Sequence, residues 1–354
     1  MNKKEKILKI IVSPKNNLLN CLKLMDHLEV RSLIVLDNER FFISVISIGD
    51  IQRAIIKNLP LTTLVEDVIR KDPTIAFTTT PLELIKRQML DNRIESMPVI
   101  ASDGRLIDVY FWDDLFTEKK VPPKKEFDLP VIIMAGGLGT RLRPLTNVLP
   151  KPLIPINEKS ILEEIIWRFS SHGCKNFYIS VNYKADLIQF YLNQLKLPYS
   201  IEFLREAKAL GTAGSLSLLQ DRINSTIFVT NCDILIDQDY SEILEYHQTN
   251  DNAITVVAVL KHLPISYGTI ETGENGRLLS LHEKPEITLK INSGMYILEP
   301  YLLKEIPVNK IFHITELIEN IRMKNKKVGV FPVSEKSWLD IGDGSIFKKG
   351  YFSD

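Results

Sequence analysis

The chain opens with a pattern that it then repeats. "LLNCLKLMDHLEVRS" from Leu18 carries its apolar residues at helical spacing. "LIVLDNERFFISVISIGDI" from Leu33 continues as a strand, a turn at Asp37-Asn38, a second strand and a closing helix. The series returns in "LELIKRQMLDNRIES" from Leu82 and "MPVIASDGRLIDVYFWDDL" from Met97, with its turn at Asp103-Gly104 and an ungapped offset of 97 − 33 = 64. One such unit is too small to bury its own apolar face. The pattern therefore predicts a pseudo-symmetric pair over about 1–120, with repeats of about 1–62 and 63–120.

The repeat ends at "KKVPPKKEFDLP", Lys119 to Pro130, where prolines and charges leave little to bury. That composition predicts a linker of limited flexibility at 121–130 and a larger domain over 131–354. "VIIMA" from Val131 reads as a buried strand stopped by glycines, and "ILEEIIWRFSSHGCKNFYI" as a helix followed by a strand. "IFVTNCDILI" is an apolar strand that runs into Asn231-Cys232-Asp233. Alternating strands and helices imply an α/β sheet with ligands at the carboxyl ends of its strands.

Composition narrows the function classes. The 354 residues hold 44 Lys+Arg and 44 Asp+Glu, a formal net charge of zero, so no overall field draws nucleic acid or an anionic membrane. Cys21, Cys174 and Cys232 form neither a CxxC nor a Cys/His cluster, which leaves no disulfide framework and no zinc site to read. "MNKKEKILKIIVS" is too short and interrupted for a signal peptide, and no run approaches the roughly 20 apolar residues of a membrane span. A soluble cytoplasmic protein is expected.

"GGLGTRL" after the Val131 strand brings backbone N–H groups together, because glycine tolerates positive φ and leaves no side chain in the way. Arg141 adds a planar, permanent charge suited to phosphate. The P-loop pattern fails for want of its lysine. The dinucleotide fingerprint fails because Gly137-Leu138-Gly139 is followed by Thr140, Arg141 and Leu142. By itself the string also suits a plain strand-to-helix turn. Downstream, prolines 144, 150, 152 and 155 restrain the segment that presents Lys151 beside Arg141.

The whole string resembles the signature GGxGTRLxPLT…PKP of sugar-1-phosphate nucleotidyltransferases, and further motifs follow in that family's order to the C-terminus. The resemblance implies a Rossmann-like α/β domain with a mixed sheet. It places Gly137, Gly139, Thr140 and Arg141 on a nucleoside triphosphate, and Lys151 on the reacting phosphates. Gly211 and Thr212 in "LGTAGSLSLL", with Asn231, then line the nucleobase and sugar. Gly268 of "SYGTIE", Glu283 of "LHEKPEI" and Asn292 of "INSGMYILEP" contact the sugar, and Lys284 pairs with its phosphate. Asp233 and Asp340, the latter in W-x-D-x-G, are the Mg²⁺ carboxylates, a hard-oxygen set suited to that cation. The family spacing prefers Asp340 to nearby Asp343. No catalytic histidine is expected, because the attacking phosphate oxygen is already ionised.

The N-terminal duplication resembles a pair of CBS domains. In that family Ser47 and Asp50 of "SIGD" would hold a regulatory nucleotide's ribose; equally, Ser47 is placed to cap the helix that follows. Phe111 replaces the hydroxyl in the second repeat. CBS pairs associate face to face, so a homodimer is expected. The combined strings resemble guanylyltransferases of bacterial legionaminic acid biosynthesis, which implies GTP and glucosamine 1-phosphate as substrates. Mannose-, heptose- and N-acetylglucosamine-1-phosphate transfer, with GTP or UTP, are alternatives. A nucleotide-sensing regulatory protein with an inactive transferase domain is another.

Overall fold

The computed structural model describes residues 3–116, 125–156 and 158–343. Contacts divide the chain into two units, Met1–Lys124 and Lys125–Asp354.

The first unit begins with α1 (Lys3–Lys9) and β1 (Ile11–Val12), followed by α2 (Leu18–Leu28), β2 (Ser32–Leu36), β3 (Phe42–Ser47) and α3 (Ile48–Ile56). β4 (Ala76–Phe77), α4 (Leu82–Asn92), β5 (Ser96–Ile100), β6 (Leu106–Phe111) and α5 (Trp112–Leu115) then repeat the series. The strands form two three-stranded sheets, β1-β2-β3 and β4-β5-β6. Ser32 stands opposite Ser47 as Ser96 stands opposite Phe111, and both hairpins carry a bulge at the equivalent step. α2 buries Leu18, Cys21, Leu22 and Met25, the spacing of one helix face, and Asn17 caps it by accepting from the Asn20 N–H. The two-residue strands β1 and β4 are too short to leave a period in the sequence.

Equivalent residues of the two repeats meet each other. Ser32 Oγ lies 2.7 Å from Ser96 Oγ, 64 positions on. Arg31 faces Glu95 at 3.7 Å, and Phe41 bridges to Arg105. Self-meeting of this kind marks an internal two-fold axis. Each half covers what the other cannot bury alone.

The second unit starts before its first strand. Phe127 N–H donates to His172 O at 2.7 Å, and the Phe127 ring stacks on Phe228 with centroids 5.4 Å apart. Lys125–Pro130 thus folds with this unit, because one aromatic anchor outweighs the charges around it. The remaining 121–124 of the expected linker lie outside the described residues. Next come β7 (Val131–Met134), α6 (Leu145–Val148), the short hairpin β8 (Pro155–Ile156) and β9 (Lys159–Ser160), α7 (Ile161–Ser170), β10 (Asn176–Val181), α8 (Ala185–Leu195) and β11 (Ser200–Arg205). β12 (Ile227–Asn231), β13 (Ile234–Ile236), α9 (Tyr240–Thr249), β14 (Ile254–Pro264), β15 (Thr269–Thr272), β16 (Leu278–His282), β17 (Glu286–Leu298), α10 (Ile314–Met323), β18 (Val328–Ser334) and β19 (Trp338–Asp340) complete it.

Seven strands form one mixed sheet in the order β11-β10-β7-β12-β17-β14-β18. β11, β10, β7 and β12 are parallel, while β17 runs antiparallel to β12 and β14. The α/β class with a mixed sheet is as the sequence implied. From β7 the chain moves outward through β10 and β11, then returns on the other side of β7 at β12. Between β7 and β12 the order reverses, and there a parallel sheet opens a crevice at its carboxyl ends. Ile132, Val229 and Leu298 of this sheet pack with Leu216 and Leu317 in one layer of the core, out of water.

Candidate active site

β7 and β12 end side by side at this switch point, with Met134 opposite Asn231 and the Cys232 N–H donating to Met134 O at 3.2 Å. The glycine loop therefore leaves one strand where Asp233 leaves the other. Gly139 has φ +63°, a conformation that suits glycine, and a Cβ there would sit 2.9 Å from Thr146 Cγ2. The buried Thr146 hydroxyl donates to Gly139 O at 2.9 Å. The Tyr183 hydroxyl donates to Thr146 O at 3.2 Å, and Lys184 Nζ donates to the carbonyls of Asn147 and Val148 at 2.6 Å each. Thr140 and Arg141 form the turn that follows Gly139. A Cβ built on Gly137 would meet nothing within 4 Å and would face open space.

Arg141 leaves its guanidinium 64% exposed, 3.8 Å from the Asp233 carboxylate. Pro150 starts the turn Lys151–Leu153, whose Pro152 and Leu153 are buried. Anchored this way, Lys151 Nζ makes an ion pair with Asp233 Oδ2. β19 pairs with β13, setting Asp340 opposite Ile234, and Ile341 N–H donates to Asp233 O at 3.0 Å. The two carboxylates are thereby brought together across the chain. A Cβ on Gly342 would fall 2.5 Å from Lys151 Nζ, 2.6 Å from Asp233 Oδ2 and 2.9 Å from Asp340 Oδ1, so only glycine leaves this cradle free. Burial, and then the charge of Asp233, raise the Asp340 carboxyl above its ordinary value. Burial above all pushes the Cys232 thiol up to about 12, which leaves it an inert neighbour.

Among the described residues no three His, Cys, Asp or Glu side chains cluster as a metal site. The cradle nevertheless fits a Mg²⁺ ion. Two carboxylates suffice for a cation that keeps waters and takes its remaining ligands from substrate phosphate. The side chain of Asp343 lies outside the described residues.

Among the other expected residues, Asn231 ends β12 at the switch point, two residues before Asp233. Gly211, at φ +81°, would put a Cβ 2.7 Å from Phe312 O, so close backbone approach requires it. The Thr212 hydroxyl accepts from Ile314 N–H at 3.0 Å, at the start of α10. Asn231 Nδ2 comes within 2.6 Å of a Cβ built on Gly294, whose N–H donates to Asn292 Oδ1 at 3.1 Å. A Cβ on Gly268 would lie 3.1 Å from Glu283 Oε2. Lys284 occupies the left-handed region at φ 44°, in the turn between β16 and β17. Sequence reading passed over Thr146 and Gly342, each inside a quoted motif, and Glu206. The last is buried, lies against Gly136, and accepts from the Ser180 hydroxyl and from Leu210 N–H at 2.9 Å.

In the first unit Ser47 caps α3. Its Oγ accepts from Asp50 N–H at 3.3 Å, while Asp50 Oδ2 accepts from the Ser47 N–H at 2.8 Å and hydroxyl at 2.6 Å. Asp50 Oδ1 also accepts from Arg70 Nε at 3.0 Å and from Arg53. Burial works to raise the Asp50 carboxyl, but the Ser47 hydrogen bonds and the Arg70 charge outweigh it and hold it below its ordinary value. At the equivalent place in the second repeat, Lys6 lies over the Phe111 ring at 3.9 Å. Lys3 reaches Asp108 at 2.8 Å.

A family model described as nucleotidyl transferase matches residues 130–349, and a CBS domain model matches 65–119. The chain belongs to the nucleotidyl transferase family. It is 31% identical over 229 residues to a mannose-1-phosphate guanylyltransferase catalytic subunit beta of Dictyostelium discoideum, covering 63% of each chain. It is 32% identical over 228 residues to a mannose-1-phosphate guanyltransferase of Hypocrea jecorina, covering 62% of each. The chain thus spans about 63% of the length of the curated relatives it matches. Among solved structures it is similar to HddC from Yersinia pseudotuberculosis, with 27% identity, a TM-score of 0.50, and 63% of this chain and 98% of that one covered. No helix among the described residues is long and apolar enough to cross a membrane.

Proposed function

We propose that this chain transfers GMP from GTP to a sugar 1-phosphate and releases pyrophosphate. The observation that carries the reading is the convergence of Lys151, Asp233 and Asp340 about Gly342, where the glycine loop meets β12. A sugar-phosphate oxygen attacks the α-phosphorus, the bond from that phosphorus to the bridging oxygen breaks, and pyrophosphate leaves with the electron pair. Both reactants are anions, so charge neutralisation and in-line positioning are the main tasks. Arg141 and the loop amides hold the triphosphate. Lys151 and Lys284 neutralise the phosphates nearest the reaction. Asp233 and Asp340 would hold Mg²⁺, which when bound stabilises charge on the α-phosphate. With the attacking oxygen already ionised, no side chain needs to take a proton.

Glucosamine 1-phosphate, with a nucleotide sugar made for legionaminic acid, is the acceptor we propose, on the resemblance of the combined sequence strings. The names of the relatives support guanylyl transfer and favour mannose 1-phosphate as the second reading. The regulatory-protein reading is weaker, because Arg141, Lys151 and Asp233 are all in place. Pyrophosphate release with Mg²⁺ tests all three. GTP, UTP, CTP, dTTP and ATP are crossed with glucosamine-, N-acetylglucosamine-, mannose- and glucose-1-phosphate. Turnover confined to GTP with glucosamine 1-phosphate is the expected result. GTP with mannose 1-phosphate moves the acceptor to the second reading, and no turnover in folded protein points to a sugar outside this panel or to the regulatory reading. A regulatory nucleotide at the CBS pair has to displace Arg53 and Arg70 from Asp50. Nucleotide that changes neither rate nor thermal stability would leave the pair structural.

A further inference from the structure

The turn after β10 reaches two separate loops of the crevice. Val181 ends the strand, and Asn182, Tyr183 and Lys184 lead into α8. Asn182 Nδ2 donates to Glu206 O at 2.8 Å, on the segment that runs into Gly211 and Thr212. The next two residues turn the other way, to α6. The Tyr183 hydroxyl donates to Thr146 O, and Lys184 Nζ to the carbonyls of Asn147 and Val148. Those carbonyls lie at the C-terminal end of α6, where helix C=O groups lack partners and carry partial negative charge. An ammonium there forms charge-assisted bonds with both. The same Nζ lies 5.4 Å from the centre of the Tyr183 ring, so the two side chains brace each other.

α6 depends on these bonds more than a longer helix would. It is a single turn of four residues, of which only Thr146 is buried. Val148 is 78% exposed and Leu145 40%, so little apolar surface pins the turn to the core. A helix this short does not hold itself in water. Thr146 in turn donates to Gly139 O. A continuous run of polar contacts thus joins Lys184 and Tyr183, through α6, to the turn that presents Thr140 and Arg141.

We propose that Tyr183 and Lys184 are positioning residues for the triphosphate. They hold α6 so that Thr146 keeps the glycine loop in its binding shape, while Asn182 ties the same turn to the loop of Gly211 and Thr212. One tripeptide then sets the spacing of both walls of the nucleotide site. The proposal rests on the reading that the glycine loop binds GTP. Without the clasp, ordering the loop has to be done at the expense of binding energy, so the loss falls on nucleotide affinity. The fold loses little, because the bonds lie at the surface.

The test uses the full-length chain with Lys184→Met, which keeps the stem and removes both donated bonds, and Tyr183→Phe, which removes only the hydroxyl. GTP binding by calorimetry is measured beside the KM for GTP, the KM for glucosamine 1-phosphate and the melting temperature. Lys184→Met is expected to weaken GTP binding roughly tenfold, the scale of a lost hydrogen bond to a charged group. The KM for the sugar phosphate and the melting temperature should stay close to wild type. Lys184→Arg restores a donor and is expected to recover most of the affinity. Tyr183→Phe should weaken GTP binding in the same direction, and the double variant should lose less than the product of the two, since both residues hold one helix. Wild-type GTP affinity in Lys184→Met and Tyr183→Phe overturns the proposal. An equal rise in both KM values with a lowered melting temperature also overturns it, since that is what a purely structural contact gives. A wild type that binds no GTP overturns instead the reading of the glycine loop, and this proposal with it.

Discussion

The carbonyl oxygen of Asp233 accepts the N–H of Ile341 at 3.0 Å, and through that bond the end of β12 holds the residue that follows Asp340. Two carboxylates from distant parts of the sequence thereby share one cradle with Lys151. Burial, and then the charge of Asp233, raise the Asp340 carboxyl above its ordinary value.

Asp233→Asn keeps the shape of the side chain and the backbone bond to Ile341 but removes the charge that Lys151 pairs with. We expect kcat to fall by at least about 100-fold with the fold intact. Pyrophosphate release in saturating Mg²⁺, alongside circular dichroism, checks this. Near-normal turnover would sink the metal assignment.

Gly342→Ala places a methyl group among Lys151, Asp233 and Asp340. Misplacement of reacting groups by an ångström costs on the order of 100-fold in rate. We expect a loss of that size, with a melting temperature close to wild type.

Thr146→Val preserves volume but removes one of the two donors to Gly139 O, which keeps the Leu142 N–H at 3.0 Å. Loss of one such hydrogen bond costs about 0.5–1.5 kcal/mol. The melting temperature should fall accordingly, and the KM for the triphosphate should rise more than the KM for the sugar phosphate, because the bond holds the glycine loop.

Asp50 supplies a pH test in the first unit. Its folded carboxyl titrates below its ordinary value, so the unfolded chain takes up this proton first as pH falls. The stabilisation is therefore complete above roughly pH 4 and is lost on further acidification through the folded value. Asp50→Asn should lower stability at neutral pH and flatten the acid limb of the stability curve. An unchanged limb would show that Asp50 contributes nothing there. Ser47→Ala should cost about 1 kcal/mol, as loss of a helix cap does.

The sequence by itself determined what local period and residue type can carry. The duplicated helix-strand-strand-helix pattern was legible at its offset of 64, because alternation and helical spacing are read over a few residues at a time. So were the apolar strand before Gly136, the prolines around Lys151, and Asp233 at the end of an apolar run, whereas Asp340 was marked only by the resemblance of W-x-D-x-G. The tertiary structure alone decided who meets whom. Thr212, expected to line the nucleobase and sugar, has its hydroxyl accepting from the Ile314 N–H at the start of α10. Phe127 draws the end of a charged linker into the second unit. Gly342 closes the W-x-D-x-G string, but its reason emerges only when Lys151, Asp233 and Asp340 close around it. Such meetings depend on strand order and on the return of the chain past β7 to β12. No local period records that order, because it is settled by how the whole sheet covers its core.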